Sequence, residues 1–450
     1  MVKAVAFYLP QYHPVPENDR WWGQGFTEWR NVSKAAPRFP GHYQPHAPGE
    51  LGFYDLRESA IQKRQAELAR DFGLHGFCYY YYWFNGRRIL ERPLTQLLEH
   101  PEIDFPYCVC WANENWTRRW DGNEEEVLLA QQHSPEDDAA FLQSLVPMLR
   151  DPRYIRVDGK PMLLVYRANL FPDPIATTDR WRRMAGEMGL GGLHLCAVLF
   201  NGIEDPRSLG FDAGVEFPPH KLINSENDVD EIAIPHGFRG RLVDYQKVAS
   251  QALAWAFPAD RLIYRGVMPS WDNTPRRKDS PHVFVNSSPS DYHHWLRRLV
   301  EDTEERLPAD QQFIFINAWN EWGEGCHLEP DVKYGLRWLR ATHSALRGER
   351  LVDELVKELR ESTTAEEVEA ASQELIEAYD ARERSLYAMK DALRRKDLEL
   401  AEQRGLLELL ARPEHRLLVR AREELDRFPR LKEMLKKAFR SNGSAITSGQ

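Results

Sequence analysis

At 450 residues the chain is long enough for one large domain plus an appendage, because single cores stop growing near roughly 250–300 residues. A net charge of −10 excludes the basic field that nucleic-acid binding requires, and no zinc-finger, RNP or helix-turn-helix signature accompanies it. Aromatics make up 11 %, with 14 Trp and 17 Tyr, more flat amphipathic rings than packing usually asks for, and no run approaches the roughly 20 apolar residues of a bilayer span.

The first apolar run, 5–9, follows Lys3 and is stopped by Pro10, too short for a signal-peptide core. A cytoplasmic chain is therefore expected, with peripheral contact at the inner face of the cell membrane as its one route to lipid. Cys78, Cys108, Cys110, Cys196 and Cys326 are read as buried free thiols in a reducing compartment. Seven more runs follow, at 76–84, 107–111, 162–166, 193–200, 214–217, 262–268 and 313–316. Continuous apolar runs suit strands buried on both faces. Helical spacers are expected at 61–72, 90–100, 136–149, 176–188, 242–256, 289–305 and 334–346, with one short connection at 201–212. Eight strands alternating with helices predict a (β/α)8 TIM barrel over 1–348. A doubly wound sheet would want a glycine-rich loop after the first strand, and Leu9-Pro10-Gln11-Tyr12-His13-Pro14 is not one.

After the barrel, glycine and aromatics nearly vanish. Leucines at three-, four- and seven-residue multiples predict a C-terminal α-helical coiled-coil tail over 349–440, suited to homo-oligomer formation, and 441–450 is expected to be disordered. The basic stretch 412–440 fits either an anionic membrane surface or a solvated helix packed on its neighbour.

Working residues of a barrel gather where strands end. The first strand leads to Tyr12 and His13, then to Glu28 and Trp29. The second ends in Tyr82 and Trp83, the third in Trp111, Asn113, Glu114 and Trp116. The sixth ends at Glu216, the seventh in Trp271 and Asp272, and the eighth in Asn317, Trp319, Glu321, Trp322 and Glu324. Rings that stack on sugar C–H faces, with amides and carboxylates that fork onto hydroxyls, point to an oligo- or polysaccharide substrate.

Glu321 and Glu324 form the sharpest local signal. Residues three apart point to opposite faces of a strand, so these two share a pocket only if the chain has already turned, which Gly323 and Gly325 make easy. Two carboxylates near one bond suit glycosidic chemistry, one protonated and one ionised, with Trp319 and Trp322 as apolar walls. The competing account pairs one glutamate with Arg337 or Arg340. A second mechanism would use Glu114 as acid/base with Asp272 or Glu216 as nucleophile. His13, His42 and His46 do not form a recognisable metal spacing, and neither a metal nor a cofactor is expected.

The motifs at 8–14, 22–29, 76–83, 111–116 and 317–325 resemble the WbsX family, whose members carry a domain like glycoside hydrolase family 99 and are associated with bacterial cell-surface polysaccharide synthesis. The resemblance covers roughly 2–346. It implies a retaining reaction on α-linked, mannose-like glycans: Glu321 deprotonates the sugar 2-hydroxyl, which closes a 1,2-anhydro sugar, while Glu324 protonates the leaving oxygen. Gly323 departs from the larger residue of the hydrolases, 271–276 only loosely resembles their substrate loop, and the tail has no counterpart there. A glycosyltransferase or transglycosidase that assembles O-antigen or capsular polysaccharide, and a non-catalytic glycan-binding scaffold, are the two other readings.

Overall fold

The computed structural model describes residues 2–118, 123–200, 202–229, 238–277 and 280–351. All eight apolar runs are strands: β1 (Lys3–Tyr8), β2 (Gly76–Phe84), β3 (Tyr107–Trp111), β4 (Lys160–Val165), β5 (His194–Val198), β6 (Ala213–Val215), β7 (Ile263–Val267) and β8 (Phe313–Ile316). Each pairs in parallel with its sequence neighbour, and the sheet closes on itself because β1 pairs with both β2 (Val5 opposite Gly76) and β8 (Lys3 opposite Phe313). The result is a closed eight-stranded parallel barrel.

Helices cover the outside: α1 (Ser59–Asp71), α2 (Arg92–Glu99), α3 (Pro135–Leu149), α4 (Pro174–Glu187), α5 (Tyr245–Ala254), α6 (Pro289–Arg306) and α7 (Arg337–Leu346). Three of them begin on the same device. Ser134, Asp173 and Ser288 cap with their side-chain oxygens, accepting from the N–H of Asp137, Ala176 and Asp291, and a proline follows each. That proline loses nothing, since its missing N–H would have had no helical partner. The short fifth connection holds a single 3-10 turn, Pro206–Leu209.

Side-chain alternation divides the strands. Phe7, Tyr80 and Phe315 come from β1, β2 and β8, and Phe217 from just beyond β6. Phe7 meets Tyr80 and Phe315 at 5.7 Å and Phe217 at 4.7 Å, contacts that rings from β1 and β6 can make only across the barrel interior. Residues of opposite parity enter the helix layer: Trp111 stacks on Phe141 of α3 at 4.0 Å, and Trp83 donates to the Asp137 carboxylate at 2.9 Å.

The helix expected at 242–256 is corrected at its start. Arg241–Asp244 is a strand, paired in parallel with His282–Val285, and the helix begins only at Tyr245, where Asp244 caps it. The apolar Leu242 and Val243 suit either state, and pairing with the distant 282–285 segment decides it. From residue 352 onward, the expected tail and disordered terminus lie outside the described residues. Among the described residues no helix is long and apolar enough to cross a membrane.

Candidate active site

Beyond β8 the chain makes a small antiparallel hairpin in which Asn320 and Glu321 pair with His327 and Cys326. A 3-10 turn, Trp322–Glu324, connects the two sides, and Gly325 ends it in the left-handed region at φ 56°. Glu321 and Glu324 therefore stand on either side of one tight turn, as the expected reversal requires. Asn320 fixes the hairpin to the end of β1: its Oδ1 accepts from Leu9 N–H at 2.7 Å and its Nδ2 donates to Leu9 O at 3.0 Å. The Tyr12 hydroxyl, donating to Asn320 O at 2.6 Å, adds a second tie.

The cation that meets the pair is Arg276, from the loop after β7, rather than Arg337 or Arg340. Its guanidinium distributes its donors over three carboxylates: Nη2 to Glu321 at 2.7 Å, Nη1 to Glu324 at 2.8 Å and Nε to Glu28 at 2.8 Å. Glu28 is fully buried, while the Glu324 side chain keeps 23 % of its exposure, the most of the three. Gly323 is essential to this packing. A Cβ there would lie 2.1 Å from Glu28 Oε1 and 2.8 Å from Arg276 Nε, so the Glu28–Arg276 pair occupies the space of a side chain.

One guanidinium cannot neutralise three carboxylates. Burial raises the Glu321 pKa to about 8, with Arg276 opposing and the charges of Glu324 and Glu28 adding to the rise. Burial likewise raises Glu324, again against Arg276. Three phenols face the pair: Tyr80 and Tyr82 are pushed up first by burial and then by the Glu321 charge, and Tyr166 by burial and by the charges of Glu114 and Glu324. Tyr166 shares a 2.7 Å hydrogen bond with His220 Nε2.

Of the residues expected in the site, Glu28, Tyr82, Glu321 and Glu324 come together. Trp116 lies edge-on to Tyr82 and Trp21, at 5.2 and 5.7 Å. Several others are corrected. Trp83 and Trp111 point outward into the helix layer. Glu216 also points outward, bonded to Arg265 at 2.7 Å, and Arg265 in turn reaches Asp302 on α6. Asn113 is a buried tie, exchanging two hydrogen bonds with the Arg167 backbone, and Glu114 is ion-paired with Arg167. Asp272 has its oxygens engaged by His42 and Gln44, both at 2.6 Å, and by Thr274 N–H at 2.9 Å. Glu114, Asp272 and Glu216 thus each meet separate partners rather than one another, with Glu114 close enough to Tyr166 for its charge to act there.

Trp319 and Trp322 are not walls of the pair. Trp319 lies against Phe77 at 5.0 Å, and Trp322 donates to the buried Glu329 at 2.6 Å. Trp29 supports that outer layer, donating to Tyr54 O at 2.7 Å. Asn317 donates to Pro218 O at 2.7 Å, and buried His13 has Asp55, Glu91 and Arg57 as its charged neighbours. Trp271 lines a cavity of about 220 Å³ that also contains His42 and His46. A larger cavity of about 570 Å³ lies beside Glu216, Lys221 and Trp255; neither is lined by Glu321 or Glu324. Sequence reasoning missed Arg276, Tyr80 and Tyr166. Alternation could have found Tyr80, two residues before Tyr82 on the same face.

Two curated relatives, both named "Uncharacterized protein WxcX" and from two strains of Xanthomonas campestris pv. campestris, are 46 % identical over 342 residues. The match takes in 76 % of this chain and 49 % of theirs, so the chain spans about half their length. Similar solved structures include the GH99 endo-α-mannosidase from Bacteroides thetaiotaomicron, at 15 % identity and a TM-score of 0.48 over 80 % of this chain and 98 % of that one. A glycoside hydrolase-like protein matches at 14 % identity and a TM-score of 0.48, over 77 % and 94 % of the two chains. The family model described as "Glycosyltransferase WbsX" matches residues 4–342, closing strand included, and the chain belongs to that family.

Proposed function

We propose that the barrel is a retaining glycan-processing enzyme whose chemistry is carried by Glu321 and Glu324. The observation that supports it most is their placement across one turn, both bonded to Arg276 and both raised by burial. A carboxylate with a raised pKa is a stronger base when ionised and a better-retained acid when protonated.

In this reading Glu321 takes the proton of the sugar 2-hydroxyl. O2 then bonds to the anomeric carbon as the bond to the leaving oxygen breaks, and Glu324 gives that oxygen its proton. The 1,2-anhydro sugar opens when water or an acceptor hydroxyl attacks the anomeric carbon, returning one proton to Glu324 while Glu321 protonates O2. Water gives hydrolysis, and a sugar hydroxyl gives transfer. The substrate class proposed is an α-linked, mannose-like glycan of a bacterial surface polysaccharide. Assembly of O-antigen or capsule by transfer is the second reading, supported by the family's own description as glycosyltransferases. A cytoplasmic site of action belongs to that second reading.

The test is mass-spectrometric product analysis after incubating wild type and Glu324→Gln with α-mannosides, nucleotide sugars and a lipid-linked acceptor. Sugar release from the mannoside by wild type alone, with a loss of about 10²–10⁴-fold in the variant, is the expected result. Transfer from a nucleotide sugar would select the second reading. Equal turnover by both proteins would remove Glu324 from the chemistry, and a glycan-binding scaffold would bind ligand equally in both without turnover.

A further inference from the structure

The hairpin that carries Glu321 has a second face. Paired residues of a ladder point the same way and their neighbours point oppositely, so His327, opposite Asn320, is turned away from the Glu321 side. On that face His327 meets His46, from the long first loop, and Asp331, four residues further along.

His46 Nδ1 and His327 Nε2 are 2.9 Å apart, His327 Nε2 and Asp331 Oδ2 are 3.9 Å apart, and all three atoms lie within 4.8 Å of one another. All three residues are buried, Asp331 with only 2 % of its surface exposed. Each ring is held by stacking: His327 on Trp322 at 3.7 Å, and His46 on Tyr43 at 4.3 Å.

The hydrogen bonds around the cluster fix which atoms are free to act. His327 Nδ1 faces the Glu329 carbonyl at 3.0 Å, an acceptor only, so Nδ1 carries the proton and Nε2 presents a lone pair to the cluster. The Asp331 Oδ1 accepts from Tyr334 N–H, whereas its Oδ2 is buried with no hydrogen-bond partner. A hydrogen bond between the two rings would satisfy the nitrogens and still leave that carboxylate oxygen bare, an arrangement buried polar groups rarely tolerate. One cation serves all three atoms at once.

We propose that His46 Nδ1, His327 Nε2 and Asp331 Oδ2 bind one divalent first-row cation of the zinc type. Two imidazoles and a carboxylate are a fitting donor set for such an ion. Ligand atoms about 2.1 Å from a tetrahedral ion lie about 3.4 Å apart, so the widest pair needs to close by about 1.4 Å at most and the two ring nitrogens to open by about 0.5 Å. The 220 Å³ cavity is lined by His46 and gives the ion a way in.

The ion's role is to clamp loops. It would join the 42–49 segment to the residues just beyond the hairpin. His42 and Gln44 of that same segment hold Asp272, whose loop presents Arg276 to the carboxylates. The cation therefore positions Arg276 through the first loop and touches no reacting atom.

The test uses the full chain, stripped with a chelator and titrated with zinc in metal-buffered solution, with bound metal measured by elemental analysis and cobalt(II) substitution followed by visible absorption. Wild type is expected to retain one zinc per chain through dialysis. Asp331→Asn, which keeps an oxygen for Tyr334, should bind at least tenfold more weakly, and Glu324→Gln should bind as wild type does. Binding by Glu324→Gln makes the result independent of whether the proposed chemistry is right. Should Asp331→Asn not fold, His46→Gln takes its place. A wild-type chain that takes up no stoichiometric zinc or cobalt, or a ligand variant with unchanged affinity, would overturn the site.

Discussion

A methyl group on Gly323 would enter the space that the Glu28 carboxylate and the Arg276 guanidinium already fill, at 2.1 Å and 2.8 Å from their nearest atoms. Since Glu28 is fully buried, it has nowhere to retreat. Gly323→Ala should therefore cost about 1–3 kcal/mol in urea melts and lower turnover by disturbing Arg276; a variant that melts and reacts like wild type would show that the three-glutamate arrangement is not what the protein holds. The pH dependence follows from the same geometry. In the proposed chemistry Glu321 is a base only when ionised and Glu324 an acid only while protonated; burial raises both, Glu321 to about 8, so kcat/KM should be bell-shaped in pH with both limbs above the ordinary carboxylate range. Arg276 pulls the Glu321 value down, so Arg276→Met should move the acid limb of the profile to higher pH, and a limb that stays put or moves lower would contradict the assignment. The Glu-x-x-Glu pair was legible from its spacing and its glycines. Arg276 was not, because its three partners come from the first and last loops and a lone arginine in a loop has no local signature. Tyr82 and Trp83 were read together as cleft residues, although neighbours on a strand must face opposite ways.

Elements show the same division between local and distant causes. Helix starts were legible where a capping side chain precedes a proline, as at Ser134-Pro135 and Ser288-Pro289. The strands Arg241–Asp244 and His282–Val285 were not, since four-residue segments are held by each other and by nothing in their own sequence. Beside them sits Asp272, whose backbone N–H donates to Glu324 O at 2.6 Å and whose carboxylate binds His42 and Gln44. Burial alone would raise its pKa, but His42 and Gln44 bring it below the ordinary value. Its stabilising contribution is thus present above the unfolded pKa of about 3.9 and is lost as pH falls through the lower folded value. Asp272→Ala should cost on the order of 3 kcal/mol at pH 7, with the gap to wild type closing in strong acid. Urea midpoints for both proteins across that range check it, and a gap independent of pH would mean the carboxylate charge is not involved.

At the scale of the molecule, eight continuous apolar runs were enough to give the barrel, because strands covered on both faces leave no polar alternation to confuse the count. Which side chains face inward depended on register, which is why Trp83 and Trp111 face the helix layer instead of the barrel interior. The barrel layer closes with residues slightly past the expected boundary at 348: His293 on α6 is hydrogen-bonded to Glu349 O at 2.8 Å, and Leu351 packs against the core. A chain ended after Leu351 should melt in one cooperative transition and keep the turnover of the full chain, with light scattering on both reporting whether residues 352–450 govern association. Failure of the shorter chain to fold would make the tail part of the barrel's stability. Closure through β1 has a further consequence during synthesis. Glu28 leaves the ribosome early and Glu321 among the last residues of the barrel, so a growing chain carries an exposed β1 edge and an incomplete Arg276–carboxylate cluster until β8 emerges and seats. Under the proposed chemistry turnover would report completed folding, and a truncated or misregistered product would be silent rather than partly active.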